Sequence, residues 1–241
     1  MPAAPLFVLV HSPLVGPLTW ARVARELGQG GIAVCVPALR APELLGPPYW
    51  RRHAEAVATA LAGAADRPLV LAGHSGAGPL LPAIAAQSGR PIAAYLFVDA
   101  GLPADGKSRL DLFGDPAAAA QFRQAAVDGL LPPWTDADLA AVIPDSALRA
   151  RFVAELQPLP LAVYEEPIPV FPGWPDAPCG YLQFSPIYDG PAAAAQRTGW
   201  RYRMLPGGHF HMLVDPGAVA RALVDLAGLP DSLPHPQPDA L

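Results

Sequence analysis

Pro68-Leu-Val-Leu-Ala-Gly73-His74-Ser75-Gly76-Ala77-Gly78-Pro-Leu-Leu-Pro-Ala-Ile84 is the stretch on which the reading of the chain turns. The apolar run Leu69–Ala72 predicts a strand covered on both faces. Gly73 closes it, a tight turn follows, and the small-residue segment Gly76–Gln87 predicts a helix. Ser75 therefore stands at a sharp strand-to-helix bend with the pattern G-x-S-x-A. Such a bend strains its central residue and brings neighbouring segments close, so the flanking positions must be small; Ala77 in the last of them still satisfies this. The bend lifts the Ser75 hydroxyl above the end of the strand and leaves the Gly76 N–H, at the helix start, able to donate to a developing oxyanion. The alternative is a glycine-rich turn with a purely structural role.

Outward from this bend the alternation repeats. Strands are predicted at Leu6–Val10, Ile32–Val36, Ala94–Val98, Tyr181–Phe184 and Tyr202–Leu205, and helices at Leu18–Leu27, Tyr49–Leu61, Gly190–Arg197 and Gly217–Leu226. Continuous apolar strands alternating with helices imply right-handed crossovers and an α/β fold: a doubly wound, mostly parallel sheet of about six or more strands. Between Asp99 and Cys179 the strands stop. That stretch carries Phe113, Phe122, Trp134, Phe152, Tyr164, Phe171 and Trp174, with helical pieces at Pro116–Val127 and Asp136–Val142. It reads as a helical cap, residues 100–178, inserted between the fourth and fifth readable strands of a core made of residues 1–99 and 179–229. Residues 230–241 read as a disordered, proline-rich tail.

Composition narrows the function. Of 241 residues, 52% are hydrophobic and 15% charged, which excludes disorder as the main state. The net charge is −5, and Lys107 is the one lysine, so no basic stripe for nucleic acid exists. No uncharged apolar run approaches the roughly 20 residues of a membrane span. The N-terminus reads as a strand rather than a signal peptide, and a cytoplasmic protein is expected. Cys35 and Cys179 make no disulfide framework and read as small buried residues.

A serine nucleophile needs a base, and Arg201-Tyr-Arg-Met-Leu-Pro-Gly-Gly208-His209-Phe210-His211 supplies one after the last strand. The glycines leave the His209 imidazole room to reach the bend. His211 reads as a pocket wall, His74 as packing and His11 as a loop hydrogen-bonder. His53 and His235 read as surface residues. Glu165 and Glu166 form a charged spot, read as a solvated face ahead of a substrate contact. No metal-ligand spacing is present.

With these residues in place the chain resembles the α/β-hydrolase superfamily over nearly its whole length. The branch it resembles is that of the small esterases, which includes plant hydroxynitrile lyases and methylesterases. Besides the bend, the resemblance rests on Phe7-Val-Leu-Val-His11-Ser12-Pro13-Leu14-Val-Gly16-Pro-Leu-Thr-Trp20, on Leu96-Phe-Val-Asp99-Ala-Gly-Leu-Pro103, and on His209-Phe-His-Met-Leu-Val-Asp215-Pro216. It implies a Ser–acid–His order along the chain, no cofactor and no metal. The usual acid position implies Asp189, in the loop after Tyr181–Phe184; Asp99 occupies the alternative position used by some members. Asp189 is favoured, although Ser185-Pro186 could start a helix that carries it away.

The oxyanion loop departs from the family. Ser12 stands where glycine is usual, and Pro13, which has no N–H, takes the place of the second donor. The replacement donors are the Ser12 hydroxyl and the Leu14 amide. The resulting expectation is a serine hydrolase cleaving an ester or thioester of a fairly apolar small molecule, in a pocket lined by Pro13, Trp20, Trp134, Tyr164 and His211. The rival readings are a lyase or cyclase using Ser75 and His209 for acid–base chemistry, and a binding protein with a vestigial triad.

Overall fold

The computed structural model describes residues 4–39, 46–230 and 233. Six strands form one sheet in the order β2-β1-β3-β4-β7-β8: β1 (Leu6–Val10), β2 (Val34–Cys35), β3 (Leu69–His74), β4 (Ile92–Val98), β7 (Cys179–Gln183) and β8 (Arg201–Met204). Every pairing within it is parallel. The helices flanking it are α1 (Leu18–Gln29), α2 (Tyr49–Leu61), α3 (Leu81–Ser88), α8 (Asp189–Arg197), α9 (His211–Val214) and α10 (Pro216–Leu226). The expected doubly wound sheet is thus present. The largest difference in the sheet is β2, which keeps two residues of the expected Ile32–Val36. It lies at the sheet edge, and Pro37 next to it cannot donate to a ladder.

Alternate side chains explain the two layers. Phe7 and Leu9, with Val70, Ala72, Leu96, Val98 and Leu182, pack against α1 and α10. Leu6, Val8 and Val10, with Leu69, Leu71, Tyr95, Phe97 and Tyr181, face α2, α3 and α8. Both faces are covered, which is why the strands lack polar alternation.

Between β4 and β7 the chain leaves the sheet. This excursion contains α4 (Pro116–Gln124), β5 (Leu130–Leu131), α5 (Asp136–Leu139), α6 (Ser146–Ala154), β6 (Leu159–Pro160) and α7 (Ala162–Glu165), with β5 and β6 paired antiparallel. Three of its four helices carry their own start signal: the Asp115 and Asp145 carboxylates cap α4 and α6, and Thr135 forms a capping box with Asp138 at α5. Part of it builds a small core of Leu110, Ala119, Leu131, Leu159, Val163 and Tyr164. Leu139, Ile143, Leu148 and Phe152 join the layer of α1 and α10 instead. Of the expected tail, only Pro230 and Leu233 lie among the described residues; Leu233 is buried in that same layer, and the rest falls outside them.

Candidate active site

A parallel sheet delivers its carboxyl ends to one edge, and there β3, β4 and the segment after β8 set down Ser75, Asp99 and His209. Ser75 has φ +56°, a left-handed conformation costly for a residue with a Cβ. The chain then enters a 3-10 turn, Ser75–Leu80, before α3, rather than the single helix expected from Gly76. A Cβ added at Gly78 would run into the Gly101 carbonyl, so the turn packs directly against the chain leaving β4. Ala77 is fully buried, and its methyl fits the last position of the bend.

His209 Nδ1 donates to Asp99 Oδ2 at 2.8 Å. Asp99 is fully buried, with φ +43°, and its carboxylate also accepts from Phe184 N (2.9 Å), Ser185 N (3.0 Å) and Ser185 Oγ (2.6 Å). These donors fix the carboxylate in direction. With the Nδ1 proton directed at Asp99, His209 Nε2 is left as the proton acceptor.

Asp189 does not meet His209. Its Oδ1 accepts from Gln183 Nε2, and it opens α8 immediately after a 3-10 turn at Pro186–Tyr188. The favoured acid position is therefore vacated by local structure. Ser185-Pro186 does start a helical turn, but the Ser185 hydroxyl goes to Asp99 instead of capping it.

Sequence reasoning passed over Tyr188. Its Oη lies 3.2 Å from Ser75 Oγ, and its ring stacks on His209 with centroids 5.3 Å apart and planes at 16°. Burial pushes its phenol upward, so it stays protonated at ordinary pH. Tyr188 adjoins the expected acid, and nothing in the local pattern set it apart.

On the other side of Ser75, Pro13 and Leu14 are the central residues of a turn closed by Val15 N to Ser12 O at 3.0 Å; proline's fixed φ suits that position. The Leu14 N–H points back to Ser12 Oγ at 3.4 Å. Ser12 Oγ lies 3.2 Å from Tyr164 Oη, 152 residues away in sequence. His11, as expected, serves the loop backbone: Nδ1 donates to Ser12 O and Nε2 accepts from Leu39 N.

Arg109 was also missed. It is buried, donates through Nε to Gly76 O (2.7 Å) and through Nη1 to Val163 O (2.6 Å), and lies over the Tyr164 ring at 5.6 Å. Burial lowers its pKa to about 10, which leaves it charged at neutral pH. One arginine among several in a cap-like stretch carries no sequence signal of burial.

The remaining expectations divide. Trp134 lies edge-on to Phe210 at 5.8 Å, and His211 packs against Phe184 at 5.5 Å. Trp20 is corrected: it is fully buried in the core, edge-on to His74, rather than lining a pocket. His74 is packing, as expected. It donates from Nε2 to His209 O at 3.0 Å, and burial drives its pKa well below the usual value. His53 is not a surface residue; it is buried near Arg109, and desolvation first, then that charge, lowers its pKa to about 3. Glu165 pairs with Arg123 at the surface, whereas Glu166 accepts from Tyr49 N and Trp50 N, both at 2.7 Å. Both cysteines are unpaired; Cys179 is buried and Cys35 half-buried. Among the described residues no helix is long and apolar enough to cross a membrane, and no group of three or more His, Cys, Asp or Glu could hold a metal ion.

None of the curated proteins compared with the chain matches it by sequence. Solved structures do match by fold. An extracellular α/β-hydrolase from a Paenibacillus species superimposes with a TM-score of 0.73 at 19% identity, covering 92% of this chain and 98% of that one. Tomato methylketone synthase I complexed with 2-tridecanone gives 0.72 at 16%, covering 94% and 98%. A pyrethroid hydrolase from Sphingobium faniae gives 0.71 at 18%, covering 95% and 99%. The family model described as "Alpha/beta hydrolase family" matches residues 7–222. The chain therefore belongs to the α/β hydrolase family and is an enzyme of that type.

Proposed function

We propose that the protein is a serine esterase or thioesterase acting on a fairly apolar small molecule through Ser75, His209 and Asp99. The observation that carries this is the His209 Nδ1–Asp99 Oδ2 hydrogen bond beside a serine held at positive φ. Ser75 Oγ attacks the carbonyl carbon while His209 Nε2 takes its proton. Asp99 keeps the imidazole in the right tautomer and stabilises the cation that forms. The Gly76 N–H donates to the oxyanion. His209 returns the proton to the leaving group, then activates water to release the acyl group from Ser75. In the resting site Ser75 Oγ faces Tyr188 Oη, so substrate entry must turn it to His209.

Residues 100–178 act as the cap in this reading. Two contacts support it: Tyr164 reaches Ser12 beside the nucleophile, and Trp134 reaches Phe210 beside the base. An apolar acyl group suits these aromatic walls.

Hydrolysis of p-nitrophenyl esters of graded chain length is the test. Activity rising with acyl length to a maximum, and abolished by Ser75→Ala or His209→Ala, is the expected result. A preference for acetate or charged acyl groups would remove the apolar-substrate reading. Pro13 keeps one second reading in view, a non-hydrolytic lyase or cyclase using Ser75 and His209 for proton transfer. A wild type that a fluorophosphonate labels at Ser75, yet that cleaves no ester or thioester, would favour it.

A further inference from the structure

The hydrolytic reading leaves one donor unaccounted for, because proline at position 13 offers no N–H to the oxyanion. We propose that the Tyr164 hydroxyl is that donor, delivered from the excursion between β4 and β7 to replace the missing amide. This rests on Ser75 being the nucleophile.

Gly76 marks the place. Its N–H faces the oxyanion of an acyl group on Ser75, so the second donor must stand against Gly76. A Cβ added there would lie 2.7 Å from Tyr164 Oη and 3.2 Å from Ser12 Oγ. Tyr164 is the nearer of the two, and its hydroxyl needs position 76 to be glycine.

The two hydroxyls stand together at this spot. Ser12 Oγ receives the Leu14 N–H at 3.4 Å and lies 3.2 Å from Tyr164 Oη, a contact in which either oxygen can donate. In the proposed arrangement Ser12 donates to Tyr164 Oη, and Tyr164 turns its own proton to the oxyanion as it forms.

A donor from a distant segment works only if it is held still. Arg109 provides that by bonding both sides at once: Gly76 O, in the bend, and Val163 O, one residue before Tyr164. Its guanidinium also lies over the Tyr164 ring, and Phe122 packs on that ring 4.7 Å away. Preorganised donors of this kind favour the tetrahedral intermediate over the flat ester, because the oxygen moves into their reach only as charge develops.

Tyr164→Phe keeps the ring and removes the oxygen. With the best p-nitrophenyl ester, kcat should fall about 10²–10³-fold with KM within about twofold. The inhibition constant of an alkyl boronic acid, which forms a tetrahedral adduct on Ser75, should rise by a similar factor, with the melting temperature unchanged. Unchanged kcat and boronate affinity in a wild-type-like fold would overturn the proposal while the hydrolase reading stands. So would a loss confined to KM, which would make Tyr164 a substrate contact only. A larger kcat loss in Ser12→Ala than in Tyr164→Phe would also overturn it, by making Ser12 the direct donor. If the wild type neither reacts with a fluorophosphonate nor cleaves any ester, the nucleophile assignment falls and this proposal falls with it.

Discussion

Asp99 accepts hydrogen bonds from two amides, a hydroxyl and an imidazole, and none of these donors is dispensable to a buried charge. Asp99→Asn should lower kcat/KM by about 10⁴-fold, because the amide nitrogen supports the wrong imidazole tautomer. It should also lower the melting temperature, since that NH2 group faces donors. Asp189→Asn should leave ester turnover within about threefold of wild type, because that carboxylate is engaged with Gln183. Comparing both variants in one ester assay tests the assignment; equal losses would refute it. Tyr188→Phe keeps the ring on His209 and removes the oxygen that Ser75 faces. A neutral hydrogen bond of about 1 kcal/mol holds Ser75 there, so fluorophosphonate labelling should quicken about fivefold. Slower labelling would mean that the phenol assists the attack.

At the scale of elements, the parts readable from sequence were those whose signal is local. The β3 bend announces itself by glycines flanking a serine after an apolar run, and β1 and α2 begin and end where their patterns do. What escaped was decided across the chain. Asp99 and Asp189 each follow a strand, but His209 Nδ1 meets Asp99, while the 3-10 turn at Pro186–Tyr188 leads Asp189 into α8 and Ser185 reaches to Asp99. Arg109 and His53 are polar residues buried close to one another although they lie far apart in the chain. Glu166 read as a solvated charge, yet it occupies the start of α2, a helix whose preceding Pro48 offers no side-chain cap. Glu166→Ala should therefore destabilise the protein by about 2 kcal/mol in denaturant titration, the usual worth of hydrogen bonds to a charged group, with little change in kcat. An unchanged midpoint would show that α2 holds its own end.

For the whole molecule, two buried histidines set the acid limit. His53 titrates near pH 3 in the fold and at its ordinary value near 6.5 when unfolded; His74 is depressed in the same direction. Between those values the unfolded chain binds protons that the folded one does not, so stability falls as pH drops below about 6.5. His53 alone can withdraw up to about 3 kcal/mol by pH 4. The melting temperature should fall steadily from pH 7 to pH 4, and His53→Gln should flatten that slope. A slope unaffected by the substitution would place the titration elsewhere.

The excursion and the sheet share their helix ends. Glu155, following α6, accepts the Leu18 N–H at the start of α1, as Glu166 does for the first amides of α2. Two core helices thus depend on carboxylates from a segment that loops away between β4 and β7. That segment is consequently a poor candidate for modular exchange. A chimera grafting a relative's insertion onto this sheet would leave the amides of Leu18, Tyr49 and Trp50 without their acceptors, however well its new pocket suited a new substrate. Transplants that carry glutamates to both positions should express as folded protein where those that lack them aggregate.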